Sequence, residues 1–159
     1  MEFGCEVEIK AAAGQIFPWL EDPERMRLWV KGLEYSEYLS PSAALGVGTR
    51  FRQRMREMGR TVTYEGEILQ REPPARLVVA LMHHRFEMRV HYRLTGSQHG
   101  THLRYDLHLR PMDSTVARLE QAMGWMLERN ARQQLIRLKD CSENAARTQK
   151  TQQSDENRL

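Results

Sequence analysis

The stretch TRFRQRMREMGRTVTYEGE, residues 49–67, places arginine at every second position from Arg50 to Arg56 and then changes character. Alternate residues of an extended chain project from the same face, so these arginines are predicted to share one side of a strand. Met58 and Gly59 have the composition of a two-residue turn. The stretch therefore predicts a β-hairpin, and its register can be counted outward from that turn.

Counting from a Glu57–Arg60 pair predicts the cross-strand partners on the arginine side: Arg56–Thr61, Arg54–Thr63, Arg52–Glu65 and Arg50–Glu67. Carboxylates opposite arginines are typical of a solvated sheet face, where cross-strand pairs stabilise the ladder. We interpret the arginine side as such a face rather than as a surface for nucleic acid. The other side of the hairpin is then the inner face.

The same alternation continues on both sides of the hairpin. It predicts one strand over 3–10, two short helices within 11–30, and six consecutive strands within 33–111 that include the turn SPSAALGVG, residues 40–48. From Asp113 onward the apolar period changes to that of one long helix. The fold class is therefore α+β, in the order β-αα-β6-α. Consecutive strands favour an antiparallel sheet, here of about seven strands, curved around the C-terminal helix.

Length and composition bound the organisation of the chain. Its 159 residues fit one domain, which we place at 1–146. The remaining segment, 147–159, reads RTQKTQQSDENRL, has almost nothing to bury, and is predicted to be disordered. The formal charge of +3 comes from 24 Lys and Arg against 21 Asp and Glu, which are interspersed. We expect no nucleic-acid partner from this balance.

The sequence contains no run of about 20 apolar residues, so no integral membrane association is predicted. Its first residues lack the basic and apolar regions of a secretory signal. The two cysteines, Cys5 and Cys141, cannot make a disulfide framework by themselves. The expected location is the reducing cytoplasm.

Neither a catalytic set nor a metal site is recognisable in the sequence. His91, His102 and His108 are predicted to point outward beside cations, and no HxxxH or CxxC pair is present. No Ser-His-Asp or Cys-His set appears at a recognisable spacing, so catalytic residues stay unknown, and we expect no metal and no cofactor. These observations favour a binding protein over an enzyme.

The inner face is predicted to line a cavity, because one helix cannot fill a curved sheet of this size. Its side chains are mostly apolar, with a few hydroxyl and amide groups that could orient a ligand. The candidate lining residues are Phe51, Gln53, Met55, Tyr64, Phe86, Met88, Tyr92 and Tyr105 from the sheet, and Met123, Met126, Leu127 and Asn130 from the helix. Trp125 is predicted to face outward, where it could form a homodimer contact, touch a membrane surface, or stack under arginines.

Several stretches, taken in order, resemble the START-like superfamily, the polyketide cyclase, birch-pollen-allergen and lipid-transfer group with its helix-grip fold. They are VEIKAAAGQIFPWLEDPERMRLWV, GVGTRFRQRM, YEGEILQREPPARLVV, GTHLRYDLHLRP and GWMLERNARQQLIRLKD. The resemblance covers about residues 3–141. It implies an apolar cavity between sheet and helix that binds or carries a small hydrophobic molecule such as a lipid, polyketide or aromatic compound.

Two alternatives stay open. The resemblance also implies a cyclase, aromatase or dehydratase acting on a polyketide-like substrate, although no catalytic motif is shared across the family's branches. The second alternative is a protein-interaction module that uses the outward face of the C-terminal helix around Trp125.

Overall fold

The structure is a computed structural model that describes residues 1–40 and 43–158, and of residue 120 only the backbone. Its elements follow the chain as β1 (Glu2–Ile9), α1 (Ala13–Glu21), α2 (Pro23–Trp29), β2 (Leu33–Tyr38), β3 (Arg50–Glu57), β4 (Arg60–Glu72), β5 (Arg76–His83), β6 (Phe86–Ser97), β7 (Gly100–Pro111) and α3 (Ser114–Glu156). The predicted order β-αα-β6-α is confirmed. Residues 41 and 42 of the predicted turn, and residue 159, lie outside the described residues.

The strands form a 7-stranded antiparallel sheet in the order β1-β7-β6-β5-β4-β3-β2. The register predicted for the β3–β4 hairpin is confirmed at every pair, from Glu57 opposite Arg60 to Arg50 opposite Glu67. Met58 and Gly59 both have positive φ, 47° and 78°, which is the backbone of a tight turn whose twist matches its strands. This turn fixes which side chains of the hairpin face inward.

The outer face of the sheet carries paired charges, as the hairpin predicts. The Nε of Arg52 lies 2.9 Å from Oε1 of Glu65, and the Nε of Arg54 lies 3.3 Å from Oε2 of Glu34 on β2. His102 lies between Glu8 and Glu6, whose hydrogen bonds raise the pKa of its imidazole. Oppositely charged neighbours thus accompany outward arginines and histidines.

The two short helices form a corner that packs against the inner face at one end of the sheet. Asp22 caps α2 by accepting a hydrogen bond from the Glu24 N–H, with Pro23 at the first helical position. The indole N–H of Trp29 donates to the Trp19 carbonyl oxygen at 2.9 Å. Both α1 and α2 therefore present buried aromatic residues to the same part of the core.

The long helix α3 runs alongside the edge strand β1 and in the same direction. Near its start, a Cβ on Gly124 would lie 3.0 Å from the Met1 sulfur. Further along, the Lys139 ammonium donates to the Glu8 carbonyl at 2.9 Å, and Glu143 accepts from the Lys10 N–H at 2.8 Å. The first half of α3 consequently lies beside the start of β1, and its second half beside the end of that strand.

The prediction of disorder after residue 146 differs from the structure, in which α3 continues through Glu156. Residues 147–156 are exposed, so little tertiary packing holds them in place beyond the hydrogen bond that the Gln15 amide donates to Gln149 at 3.2 Å. Their helical conformation has a local cause. Adding residues to an existing helix requires no new nucleus, and Arg, Gln, Lys and Glu are good helix formers.

Candidate ligand-binding site

The concave face of the sheet divides into two halves that differ in how well they are covered. In the packed half, beside the α1–α2 corner, the inward side chains are buried: Phe51, Ile68, Leu77, Leu94 and Leu103. In the open half, toward the β3–β4 turn, the inward side chains are half-buried: Met55, Val62, Val79, Leu81, Phe86 and Met88. The open half narrows toward β7, where Leu107 and Leu109 are buried, as is the neighbouring Val90 on β6.

The accessible surface in the open half includes inward side chains of strands that are not at an edge of the sheet. Strands β5 and β6 lie in the middle of the sheet and are paired on both edges. Leu81 and Met88 are cross-strand partners in these strands and point inward. A half-buried leucine in such a position requires uncovered space above the concave face, because neighbouring strands close off its flanks.

The first half of α3 explains why this space is left uncovered. The helix has buried residues at Val116 and then from Ala131 onward, but between 117 and 130 no side chain that the structure describes is buried. The second half, by contrast, sends Leu135 and Leu138 into the core, where they are 2% and 0% exposed. The helix therefore seals the packed half and stands away from the open half.

Two tyrosines lie where the halves meet. Tyr92 on β6 and Tyr105 on β7 are cross-strand partners, and their ring centroids are 5.5 Å apart at an angle of 68°. Trp29 of α2 packs edge-on against Tyr92 at 6.5 Å, and Phe3 of β1 lies 6.3 Å from Tyr105. Aromatic neighbours on both sides hold the pair in a fixed arrangement.

Burial raises the pKa of both tyrosine hydroxyls well above the ordinary value. Both side chains are nevertheless half-buried rather than fully inaccessible. The two observations agree if protein surrounds each ring on most sides while one side opens onto the space above the concave face. Tyr92 and Tyr105 thus lie at the boundary between the covered and the accessible parts of the concave face.

A polar cluster stands at the rim of the open half. The Tyr64 hydroxyl donates to Oε1 of Glu57 at 2.8 Å, and burial followed by the nearby Glu57 charge raises the pKa of that hydroxyl. His83 lies 5.8 Å from the Tyr64 ring and 4.9 Å from the Phe86 ring. Burial, and next the neighbouring His84, lower the pKa of His83, which favours its neutral form.

The structure distributes the predicted lining residues over five places. Phe51 and Gln53 belong to the packed half, where the Gln53 amide lies 4.0 Å from the Met26 sulfur. Tyr64 is buried at the rim. Met55, Phe86 and Met88 lie in the open half, and Tyr92 and Tyr105 at its boundary. Met123, Met126, Leu127 and Asn130 are half-buried on the uncovered part of α3.

Sequence reasoning left out two groups of residues that border the same space. Val79 and Leu81 alternate clearly with outward residues and could have been included from that signal. Trp29 could not, since no local pattern tells which strand the end of α2 will contact. Its neighbour Tyr92 is distant in the sequence, and only the tertiary fold brings them together.

The single cysteine of β1 does not provide a nucleophile. Cys5 is 5% exposed, and burial raises the pKa of its thiol, which disfavours the reactive thiolate. Within the described part of the chain, no three His, Cys, Asp or Glu side chains lie close enough to hold a metal ion. In the same residues, no helix is both long and apolar enough to cross a bilayer.

Trp125 lies on the outer side of α3, as predicted, and is 65% exposed. Ile136, also on that side, is 54% exposed. Homodimer formation through this surface stays a prediction.

Comparison of the sequence with family models gives a match over residues 3–143 to the family described as polyketide cyclase / dehydrase and lipid transport. Comparison with curated proteins gives no match. The family match extends from β1 into the second half of α3, so it includes both halves of the concave face.

Solved structures share the fold at low sequence identity. The crystal structure of TTHA0849 from Thermus thermophilus has a TM-score of 0.74 and 19% identity, with 92% of this chain and 99% of that chain covered. The crystal structure of Ara h 8.0201 has a TM-score of 0.70 and 11% identity, with 89% and 97% covered.

The di-domain ARO/CYC StfQ from the steffimycin biosynthetic pathway gives a TM-score of 0.76 at 13% identity. The match covers 91% of this chain and 52% of that one. At these identities the likeness shows the fold alone, which is the predicted helix-grip architecture.

Proposed function

Because the chain belongs to the polyketide cyclase / dehydrase and lipid transport family, we propose that it binds a small hydrophobic molecule between the open half and the first half of α3. One observation carries this proposal. The inward side chains of Leu81 and Met88 stay partly accessible, although strands β5 and β6 that bear them are paired on both edges. Apolar surface held open in this way is the usual lining of a small-molecule site.

The ligand would contact the open half on one side and the uncovered part of α3 on the other. Methionine is frequent there, with Met55 and Met88 on the sheet and Met123 and Met126 on the helix. Unbranched thioethers adapt to irregular shapes, so such a lining tolerates ligands of different outline. Affinity would come from apolar burial, roughly 25 cal/mol for each Å² removed from water.

A blocking variant tests the location of this site. Leu81→Trp would fill the space above β5, whereas Met82→Trp places the same ring on the outer face of the same strand. The probe is N-phenyl-1-naphthylamine, a neutral apolar dye whose fluorescence increases away from water. We expect Leu81→Trp to weaken dye binding at least about tenfold and Met82→Trp to leave it unchanged.

Native mass spectrometry of the protein purified from its own host provides an independent test. A retained apolar adduct in the wild type that is absent from Leu81→Trp supports the proposal. Dye binding that is equal in all three proteins would place the dye elsewhere and contradict it.

The rim cluster supports a second candidate function, a cyclase or dehydratase-type reaction. Such a reaction needs a group that exchanges protons near neutral pH, and a neutral imidazole beside a hydrogen-bonded tyrosine supplies one. We would measure turnover of a poly-β-ketone analogue by the wild type and by His83→Ala and Tyr64→Phe. Turnover lost in both variants with dye binding intact would favour the enzyme, and turnover absent from the wild type would favour the carrier.

A further inference from the structure

We propose that the hydroxyls of Tyr92 and Tyr105 together bind a carbonyl oxygen of the ligand, so that the ligand is a neutral, mainly apolar ketone, quinone or ester. This inference rests on the proposed function, since it assigns chemistry to one boundary of the same site. It is carried by the geometry of the pair, by the hydrogen bonds it lacks, and by the charges around it.

Neither hydroxyl has a hydrogen-bond partner among the residues that the structure describes, unlike Tyr38 and Tyr64, whose hydroxyls donate to Glu21 and Glu57. In those same residues, every side-chain nitrogen or oxygen that is fully inaccessible does have a partner. The two hydroxyls must therefore be accessible, and their inward position means that the open space is what reaches them.

Tyr92 and Tyr105 are directly opposite each other on neighbouring strands and point the same way. Cross-strand partners in an antiparallel sheet have their Cβ atoms about 4.5–5.5 Å apart, so two such hydroxyls can approach one acceptor. A carbonyl oxygen has two lone pairs and can accept both hydrogen bonds. Trp29 and Phe3 restrict the rings to this arrangement.

The pKa of each hydroxyl is raised, mainly by burial, so both stay protonated and remain donors at neutral pH. Among the described residues, the only titratable groups that affect the pKa of these hydroxyls are Cys5, for both tyrosines, and Tyr92, for Tyr105. Burial keeps the Cys5 thiol neutral. No ammonium, guanidinium or carboxylate of those residues contributes. A charged ligand head would lose its hydration here without gaining a counter-ion, which selects a neutral acceptor.

These conditions predict discrimination between ligands of equal shape. Once an apolar ligand excludes water, two donors without an acceptor are costly, and a ligand that supplies an oxygen removes that cost. Sites that contain buried polar groups reject analogues lacking the matching group more strongly than apolar pockets reject a missing methylene. The pair should therefore distinguish a ketone from the corresponding hydrocarbon.

The test compares 9-fluorenone with fluorene, which differ by a carbonyl in place of a methylene. Dissociation constants would be measured for the wild type, Tyr92→Phe, Tyr105→Phe and the double variant. Tyr35→Phe serves as the matched control, because its hydroxyl is bound to Glu37 on the outer surface. We expect the preference for fluorenone over fluorene to fall about tenfold in the double variant and by part of that in each single variant. Fluorene binding should not weaken.

The infrared carbonyl band of bound fluorenone gives a direct readout. Hydrogen bonds lower its frequency in the wild type, and we expect it to move toward the apolar-solvent value in the double variant. If the double variant does not fold, each single variant carries the same comparison with one hydrogen bond removed.

Two failures can be told apart. Suppose that both compounds bind the wild type, bind more weakly to Leu81→Trp, and keep the same ratio of dissociation constants in every tyrosine variant. This inference is then overturned, while the proposed function stands. If neither compound binds, or if Leu81→Trp has no effect on either, the proposed function and this inference fall together.

Discussion

The packed half and the open half of the concave face are made from similar side chains, yet only the packed half is closed. Leu77 and Leu81 show the contrast most directly, since both lie on β5, face the same side and are four residues apart. Leu77 is 2% exposed, and Leu81 is only half-buried. The difference arises from what lies above them: the α1–α2 corner and the second half of α3 cover one, and the uncovered part of α3 faces the other.

This comparison indicates that burial is concentrated at one end of the sheet, whereas the proposed binding site lies at the other end. Burial in the packed half contributes most of the hydrophobic stabilisation. The open half gives up part of that stabilisation and retains accessible apolar surface. Sites of binding are expected among such incompletely packed regions.

The largest effect on the free energy of unfolding is expected from truncating Leu77 to alanine, compared with the same truncation of Leu81. Leu77→Ala should lower the free energy of unfolding by about 3 kcal/mol, because it leaves a cavity in a closed core. Leu81→Ala should cost only about 1 kcal/mol, since its side chain borders space that is already accessible. Urea denaturation of both variants checks this. Equal losses would mean that the open half is closed in solution.

A smaller effect is expected at the packed end, where Glu143 ties α3 to the end of β1. Burial by itself raises the pKa of Glu143, but hydrogen bonds from Lys139 and the Lys10 N–H outweigh it, so its pKa is lowered from 4.5. A lowered pKa gives a contribution that is present above the unfolded value and disappears as the pH falls through the folded value. Glu143→Gln should cost about 1 kcal/mol at pH 7.

The pH dependence separates this role from simple packing. As the pH falls below about 4.5, the difference between wild type and Glu143→Gln should shrink, because the wild-type carboxylate becomes protonated. Thermal unfolding of both proteins between about pH 7 and about pH 3.5 measures it. A difference that is independent of pH would show that the charge of Glu143 contributes nothing.

The Tyr64–Glu57 hydrogen bond allows a finer test of whether the rim of the open half contributes to stability. Tyr64→Phe removes the hydroxyl that donates to Glu57 and should cost about 1 kcal/mol. Tyr35→Phe, which removes an exposed hydroxyl bound to Glu37, should cost less than about 0.5 kcal/mol. Indistinguishable unfolding curves for the two variants would show that the rim is as solvated as the outer face.

The smallest effect on folding is expected from Trp125, on the side of α3 away from the sheet. Trp125→Ala should change the free energy of unfolding by less than about 0.5 kcal/mol, because the side chain is exposed. We expect it to weaken self-association if two copies meet through this side of α3. Sedimentation velocity over a range of concentrations compares the variant with the wild type. Identical profiles would contradict the homodimer prediction.

Some of the candidate site follows directly from the sequence. The alternation in β3 and β4 and the Met58–Gly59 turn give the register, which assigns Met55 to the inner face and Arg54 to the outer one. The same period places Tyr92 opposite Tyr105. These assignments are local, because the side-chain period of two decides which residues share a face and the turn between two strands sets their register.

Other features depend on contacts between distant segments. Both Phe51 and Met55 are inward residues of β3, yet Phe51 is buried in the packed half beside its cross-strand partner Tyr38, and Met55 is half-buried in the open half. No periodicity distinguishes them. The distinction depends on where the α1–α2 corner ends and on where α3 leaves the sheet.

In the polar tail, composition predicts exposure correctly but does not predict the local conformation. Composition indicates little to bury after Ala146, which is correct, but the absence of a core does not prevent an existing helix from continuing.

The sequence by itself determined the family, the order of the strands and helices, and the face to which each strand residue belongs, because these depend on local periodicity and turn chemistry. Only the tertiary structure decided which inward residues are covered, which tyrosine hydroxyls lack a partner among the described residues, and where space remains. Coverage depends on the separation of two layers that meet through residues far apart in the chain. That separation is a property of packing, which no local pattern encodes.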